Sequence, residues 1–196
     1  MANKAEPGAT MTSDDQSAFA RQVLRAEADA VARIVIDESF HEAVDLVLDR
    51  TGDGALVVTG LGKSGIIAQK LSATFVSTGT HSHFLHPVEA LHGDLGRIRR
   101  DDVVLALSRS GNTDEIVALA TILRQDQVPV IAITGDDGGD LARLAKVNLS
   151  IGDVTEACPM NLAPTASTTA MLALGDALAL TVSRRRDFGI DDFQRV

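Results

Sequence analysis

The sequence predicts an α/β domain whose parallel sheet is wrapped by helices, and three observations carry that prediction. Residues 55–58, 103–107 and 130–133 (Ala-Leu-Val-Val, Val-Val-Leu-Ala-Leu and Val-Ile-Ala-Ile) are short, unbroken apolar runs, the mark of strands buried on both faces. Segments of helical length separate them. Strand and helix in alternation, with fully buried strands, make a parallel sheet covered by helices. A chain of 196 residues is long enough to give such a sheet one sizeable core.

In chain order, residues 1–15 are polar and contain Gly and Pro, and are read as a disordered tail. A single domain then spans residues 16–196. Phe19, Val23, Ala30 and Ile34 share one helical stripe, with Leu24, Val31 and Val35 beside it. A second helix runs through Ala43, Val44, Val47 and Leu48 and stops at Thr51-Gly52-Asp53-Gly54, where the glycines suit a helix end and a turn. After the first strand, helices are expected over 66–78, 114–123, 141–145 and 167–185, with weaker strands near 82–85 and 147–151. No repeat or low-complexity linker divides the chain. The first two helices precede the sheet units, so their apolar stripe needs cover from the sheet or from another copy of the chain.

Bulk properties exclude several classes. Net charge is −9, so the chain offers nothing to neutralise a run of phosphates, and no nucleic-acid surface is expected. The basic run Arg184-Arg185-Arg186 suits the C-terminus of a helix, where cations match the dipole. Cys158 is the single cysteine, which rules out an internal disulfide and a thiolate metal cage and suits a reducing cytoplasm. Residues 1–15 lack the apolar stretch of a signal peptide. No window reaches the ~18 uninterrupted apolar residues of a membrane span. The nearest, residues 170–182, is broken by Gly175-Asp176. The expectation is a soluble, cytoplasmic protein with no membrane contact.

In a parallel sheet, ligands sit beyond the carboxyl ends of the strands. The first such loop is Thr59-Gly60-Leu61-Gly62-Lys63-Ser64-Gly65. A P-loop would need glycine where Val57 stands. Gly60-x-Gly62-x-x-Gly65 matches the dinucleotide fingerprint, but the acidic residue expected ~20 positions later is replaced by Thr80-His81-Ser82-His83. A phosphate loop carrying Lys63 is the third reading, and a plain strand-to-helix turn the fourth. The second loop, Ser108-Arg109-Ser110-Gly111-Asn112-Thr113, decides among them. A helix cap needs one hydroxyl. Three hydroxyls and a glycine at a helix start are what a phosphate monoester needs. The third region is Glu156-Ala157-Cys158-Pro159, followed by Thr165, Ser167, Thr168 and Thr169, four hydroxyls opening the last helix.

Residues 86–96 pack His86, His92, Glu89, Asp94 and two glycines into one irregular segment. The spacing matches no helical zinc motif, so no metal is expected and His92 is read as an acid-base group. His81 and His83 are read as surface histidines.

Taken in order, these stretches resemble the sugar isomerase (SIS) domain family, and within it the D-arabinose 5-phosphate isomerases. The resemblance rests on residues 60–65, Ser77-Thr78-Gly79-Thr80, residues 86–96 and 108–116, Ile133-Thr134-Gly135 and residues 156–179. It implies a three-layer, doubly wound fold with a five-stranded parallel sheet, a homotetramer and no cofactor. It places phosphate contacts on Ser64, Ser108, Ser110 and Thr113 beside Gly62. The catalytic group falls on Lys63, His92, Glu115 and Glu156, and the sugar lining on Ser167 and Thr168. The family continues into a pair of CBS domains, and carries a Ser-His-Pro whose serine falls at Val196, so its last catalytic histidine lies past the end of this sequence.

The implied reaction converts D-arabinose 5-phosphate and D-ribulose 5-phosphate through a cis-enediol. Glu156 is the first choice for the base, Glu115 the second and Glu89 the third. Lys63 would favour charge on the enediol oxygens, and His92 would open the ring or move protons between oxygens. The rival reading is a non-catalytic phosphosugar-binding regulatory module. The pathway stays open between lipopolysaccharide sugar synthesis and sugar catabolism.

Overall fold

Alternate side chains of each strand fill two separate cores, and that is why the strands read as continuous apolar runs. In the computed structural model, which describes residues 11–135 and 137–194, five strands form one all-parallel sheet in the order β2-β1-β3-β4-β5. The strands are β1 Leu56–Gly60, β2 Ser82–Phe84, β3 Val103–Ser108, β4 Val130–Thr134 and β5 Val147–Ser150. Leu56, Val58, Leu105, Leu107, Ile131 and Ile133 face α1 (Ser13–Ala32), α2 (Glu38–Arg50), α3 (Gly62–Ser77) and α7 (Ala166–Arg185). Val57, Val104, Ala106, Val130 and Ala132 face α4 (Pro87–Leu91), α5 (Asp114–Gln125) and α6 (Asp140–Leu144). The fold is the three-layer, doubly wound α/β arrangement expected.

The strand ends are tied by short polar devices. Buried Asp102 accepts hydrogen bonds from the backbone N–H groups of Ala55 (2.8 Å) and Arg99 (2.7 Å), stitching the entry of β1 to the approach to β3. Arg186 caps α7 and turns its guanidinium inward, donating to the Gly79 carbonyl at 3.0 Å and to Thr51. By length and mean hydropathy α7 could cross a membrane, yet ten of its residues are buried against the rest of the fold, the place of a core helix.

Four boundaries differ from the sequence reading, the first being α3, which is expected over 66–78 but starts at Gly62 and so takes in Lys63 and Ser64. The tail expected over 1–15 is shorter: Thr12 caps α1 through a capping box with Asp15, so Ser13, Asp14 and Asp15 are helical. Residues 1–10 lie outside the described residues. Residues 86–96, expected to be irregular, contain α4, started by Pro87 at its first position, and a 3-10 turn over Asp94–Arg97. A last short helix, α8 (Ile190–Phe193), carries too few residues to show a periodic signal.

Candidate active site

The strand order reverses between β1 and β3, so their helices leave on opposite faces of the sheet and open a crevice between them. Gly60 and Leu107 are register partners at the carboxyl end of this pair. Helices α3 and α5 both start here, and neither has a side-chain cap: Leu61 precedes α3, and Thr113 precedes α5 without its hydroxyl bonding the first turn. Two sets of unsatisfied N–H groups and two positive dipole ends therefore meet at one place, which suits a phosphate. Close approach of backbone to backbone makes this possible. A Cβ on Gly65 would lie 2.6 Å from the Gly60 carbonyl oxygen, and one on Gly60 would lie 2.8 Å from that of Ser64.

The β3–α5 loop is held for the same purpose. Gly111 takes a positive φ of 64°, which a residue with a Cβ would resist. The Ser108 and Thr113 hydroxyls meet at 2.9 Å, and the Ser110 hydroxyl accepts from the Asn112 N–H at 3.2 Å. Asn112 in turn accepts from the Asp140 N–H at 2.9 Å, and the Gly111 carbonyl accepts from Leu141 at 2.9 Å, so α6 pins the loop from behind. Gly62 and Ser64 in the first turn of α3 thus share the crevice mouth with Ser108, Ser110 and Thr113, and the Ser64 hydroxyl lies 3.9 Å from the Met171 sulfur.

Glu156 organises the other wall. Its carboxylate is fully buried and surrounded by donors. Oε2 accepts from the Thr165 N–H (2.8 Å), the Thr165 hydroxyl (3.2 Å) and the Ser167 N–H (3.2 Å). Oε1 accepts from the Ser167 hydroxyl and pairs with Arg109 Nη1 at 3.3 Å. Burial pushes this carboxyl up, but the Ser167 and Thr165 donors and the Arg109 charge outweigh it and hold the group below its ordinary value. The backbone N–H of Glu156 is itself held by Asn161 Oδ1 at 2.8 Å. In the loop between, the N–H groups of Ala163, Met160 and Leu162 hold the Cys158 thiol below its ordinary pKa.

Other sequence-selected residues stand apart. Lys63, in the first turn of α3, is exposed, and Glu115, in the first turn of α5, is half-buried; neither side chain has a hydrogen-bond or ion-pair partner among the described residues. His92 caps the end of α4, exposed, and makes no bond to Lys63, Glu115 or Glu156. Thr168, half-buried, donates its hydroxyl to the Thr165 carbonyl at 2.8 Å. Glu89 is exposed on α4. His81 and His83 lie at the opposite, amino end of the strands, beside a cavity of about 250 Å³ that Asp53, Arg97 and Asp102 also line. His81 is exposed, but His83 is half-buried with its Nε2 enclosed and unpartnered. Burial, then the Arg97 charge, pushes its pKa down. Among the described residues, no three His, Cys, Asp or Glu side chains converge as a metal-ligand set.

The sequence reading missed Arg109 and Asn161 as parts of this wall, and named Thr165 only as one of four hydroxyls at the helix start. Arg109 sits inside the serine-rich loop and offered a signal of position only. Asn161 takes a positive φ of 53°, which asparagine tolerates better than most residues.

Comparison with known proteins identifies the family. The family model for the SIS domain matches residues 53–181. Arabinose 5-phosphate isomerase KdsD of Pseudomonas aeruginosa is 48% identical over 176 residues, covering 89% of this chain and 53% of that protein. The protein of the same name from Escherichia coli K12 is 45% identical over 175 residues, covering 88% and 53%. The chain therefore spans about half the length of these curated relatives. The structure of Escherichia coli CFT073 c3406 in complex with A5P superimposes with a TM-score of 0.86 at 38% identity, covering 94% of this chain and 98% of the other.

Proposed function

This chain belongs to the SIS domain family, and we propose that it is an aldose–ketose isomerase interconverting D-arabinose 5-phosphate and D-ribulose 5-phosphate. The observation that carries the reading is the meeting of two uncapped helix N-termini, α3 and α5, at the crevice between β1 and β3. The relatives named for this activity and the solved complex with A5P supply the sugar.

Ser64, Ser108, Ser110 and Thr113 hold the phosphate, so binding remote from the reacting carbons fixes C1 and C2. A carboxylate takes the C2 proton while the C1 aldehyde oxygen gains one, giving the cis-enediol. The same group returns its proton to C1 as the C2 hydroxyl loses its own, leaving the ketose. Glu156 accepts four hydrogen bonds, three on Oε2 and one on Oε1, and Oε1 also pairs with Arg109, so its carboxylate is committed to holding the loop. Glu115 carries a carboxylate without a partner among the described residues, next to the phosphate loop, and is assigned the proton transfer. Glu156 orders Thr165, Ser167 and, through them, Thr168 along the sugar. Lys63 favours negative charge on the enediol oxygens, and His92 opens the ring or relays protons.

The chain from α1 onward acts as one domain in this reading, in the cytoplasm, without a cofactor, and as a homotetramer. Assembly is supported by apolar side chains left uncovered on three helices, Leu24, Ile66 and Leu180, and by Lys63 and His92 lying open to a neighbouring copy. Following arabinose 5-phosphate by NMR tests the activity. Appearance of ribulose 5-phosphate, abolished in Lys63→Ala, supports the isomerase. Binding of the phosphosugar without turnover would favour the regulatory module instead.

A further inference from the structure

Arg109 occupies a position that neither phosphate binding nor the proton transfer explains. Its backbone belongs to the phosphate loop, between Ser108 and Ser110, and its carbonyl accepts from the Gly135 N–H at 2.9 Å. Its side chain leaves that loop entirely. Nη2 donates to the Val154 carbonyl at 2.7 Å, and Nη1 lies 3.3 Å from Glu156 Oε1. One residue thus spans from the loop that reads the phosphate to the loop that carries the sugar-lining hydroxyls. A residue with a Cβ at Gly135 would press on this arm, at 2.8 Å from the Arg109 carbonyl oxygen and 3.4 Å from its Cγ.

We propose that Arg109 is a positioning residue that keeps Glu156 ionised and thereby locks the β5–α7 loop to the phosphate loop; the proposal rests on the isomerase reading above. A carboxylate buried without a counter-charge is unstable, and Arg109 is the one cation within ion-pair distance of Glu156 among the described residues. The groups facing Glu156 from α7 and its leading loop, Thr165 and Ser167, are neutral hydroxyls and N–H groups. The other titratable groups of the β5–α7 loop, Asp153 and Cys158, make no ion pair with it. All these donors require an acceptor. A proton on Oε2 would set a donor against the Thr165 and Ser167 N–H groups, which cannot accept, and so release the loop.

The test compares Arg109→Met, Arg109→Gln and Arg109→Lys with the wild type by two readouts. One is the titration of the Glu156 carboxyl, followed by ¹³C NMR of glutamate-labelled protein. The other is the acid limb of kcat for arabinose 5-phosphate. In Arg109→Met and Arg109→Gln, Glu156 should bind its proton severalfold more tightly, the Ser167 and Thr165 donors that remain setting the rest of the depression. The acid limb should move to higher pH with it, and Arg109→Lys should restore both. Unchanged titration and an unchanged acid limb in a folded variant would overturn the proposal, as would a loss confined to KM, which would make Arg109 a phosphate ligand. Should every variant fail to fold, the wild type decides: a Glu156 that titrates at or above the ordinary carboxyl range overturns the idea. Absence of turnover in the wild type would defeat the isomerase reading, while the titration would still decide the role of Arg109.

Discussion

Gly65 and Gly60 touch backbone to backbone, so that a Cβ on the first would sit 2.6 Å from the carbonyl oxygen of the second. The contact seats the first turn of α3 directly on the end of β1 and aims its N–H groups at the crevice. Gly65→Ala must push α3 away from the strand, because the obstacle is backbone and cannot rotate aside. The expected cost is about 1–3 kcal/mol of stability. Phosphosugar affinity should fall further than the melting temperature suggests, which calorimetry and binding titration on one preparation would check. Wild-type affinity in Gly65→Ala would place the phosphate elsewhere.

Ser108 is buried and its hydroxyl pairs with Thr113 at 2.9 Å, so both hydroxyls are already placed before any ligand arrives. Ser108→Ala removes a donor to a dianion, an interaction of about 1.5–3 kcal/mol. KM for the phosphosugar should rise roughly 10- to 100-fold with kcat much less affected, since the contact is made equally in substrate and transition state. Steady-state kinetics separates the two parameters. A fall in kcat alone would remove Ser108 from the phosphate site.

Glu115 and Glu156 should fail differently. Glu115→Gln keeps the shape of the first turn of α5 and breaks no bond among the described residues, so kcat should drop by about 10²–10⁴ with the melting temperature unchanged. Glu156→Gln exchanges one acceptor for a donor, facing either the Thr165 and Ser167 N–H groups or Arg109, so both activity and melting temperature should fall. Full activity in Glu115→Gln would return the proton transfer to another group.

Glu156 also sets an acid dependence. Its folded carboxyl is held below its ordinary value, so it contributes stability that is complete above the unfolded carboxyl pKa of ~4.3 and is lost as pH falls through the lower folded value. The melting-temperature gap between wild type and Glu156→Gln should therefore be widest near neutrality and narrow below about pH 4. Scanning calorimetry from pH 7 to pH 3 reads this directly. A gap that widens in acid would reverse the sign of the argument.

The layout of strands and helices was legible in local sequence because each strand here is buried on both faces, as the split of Leu56 and Val58 from Val57 between two cores shows. The phosphate loops were legible for a related reason: hydroxyls and glycines beside a helix start act through their own backbone, over a few residues, and their chemistry travels with the string. The family resemblance joined those loops into one site. What lay beyond reach was anything that depends on which loops become neighbours. The pairing of Arg109 with Glu156, and the donors gathered on that carboxylate, follow from β3, β4 and β5 lying side by side in register, with Ser108 opposite Thr134 and Thr134 opposite Ser150. Sequence marked Glu156 as a glutamate of the right kind in the right motif. Only the packed loops decided whether its lone pairs face a substrate or a ring of donors, because that is settled by contacts between segments far apart along the chain.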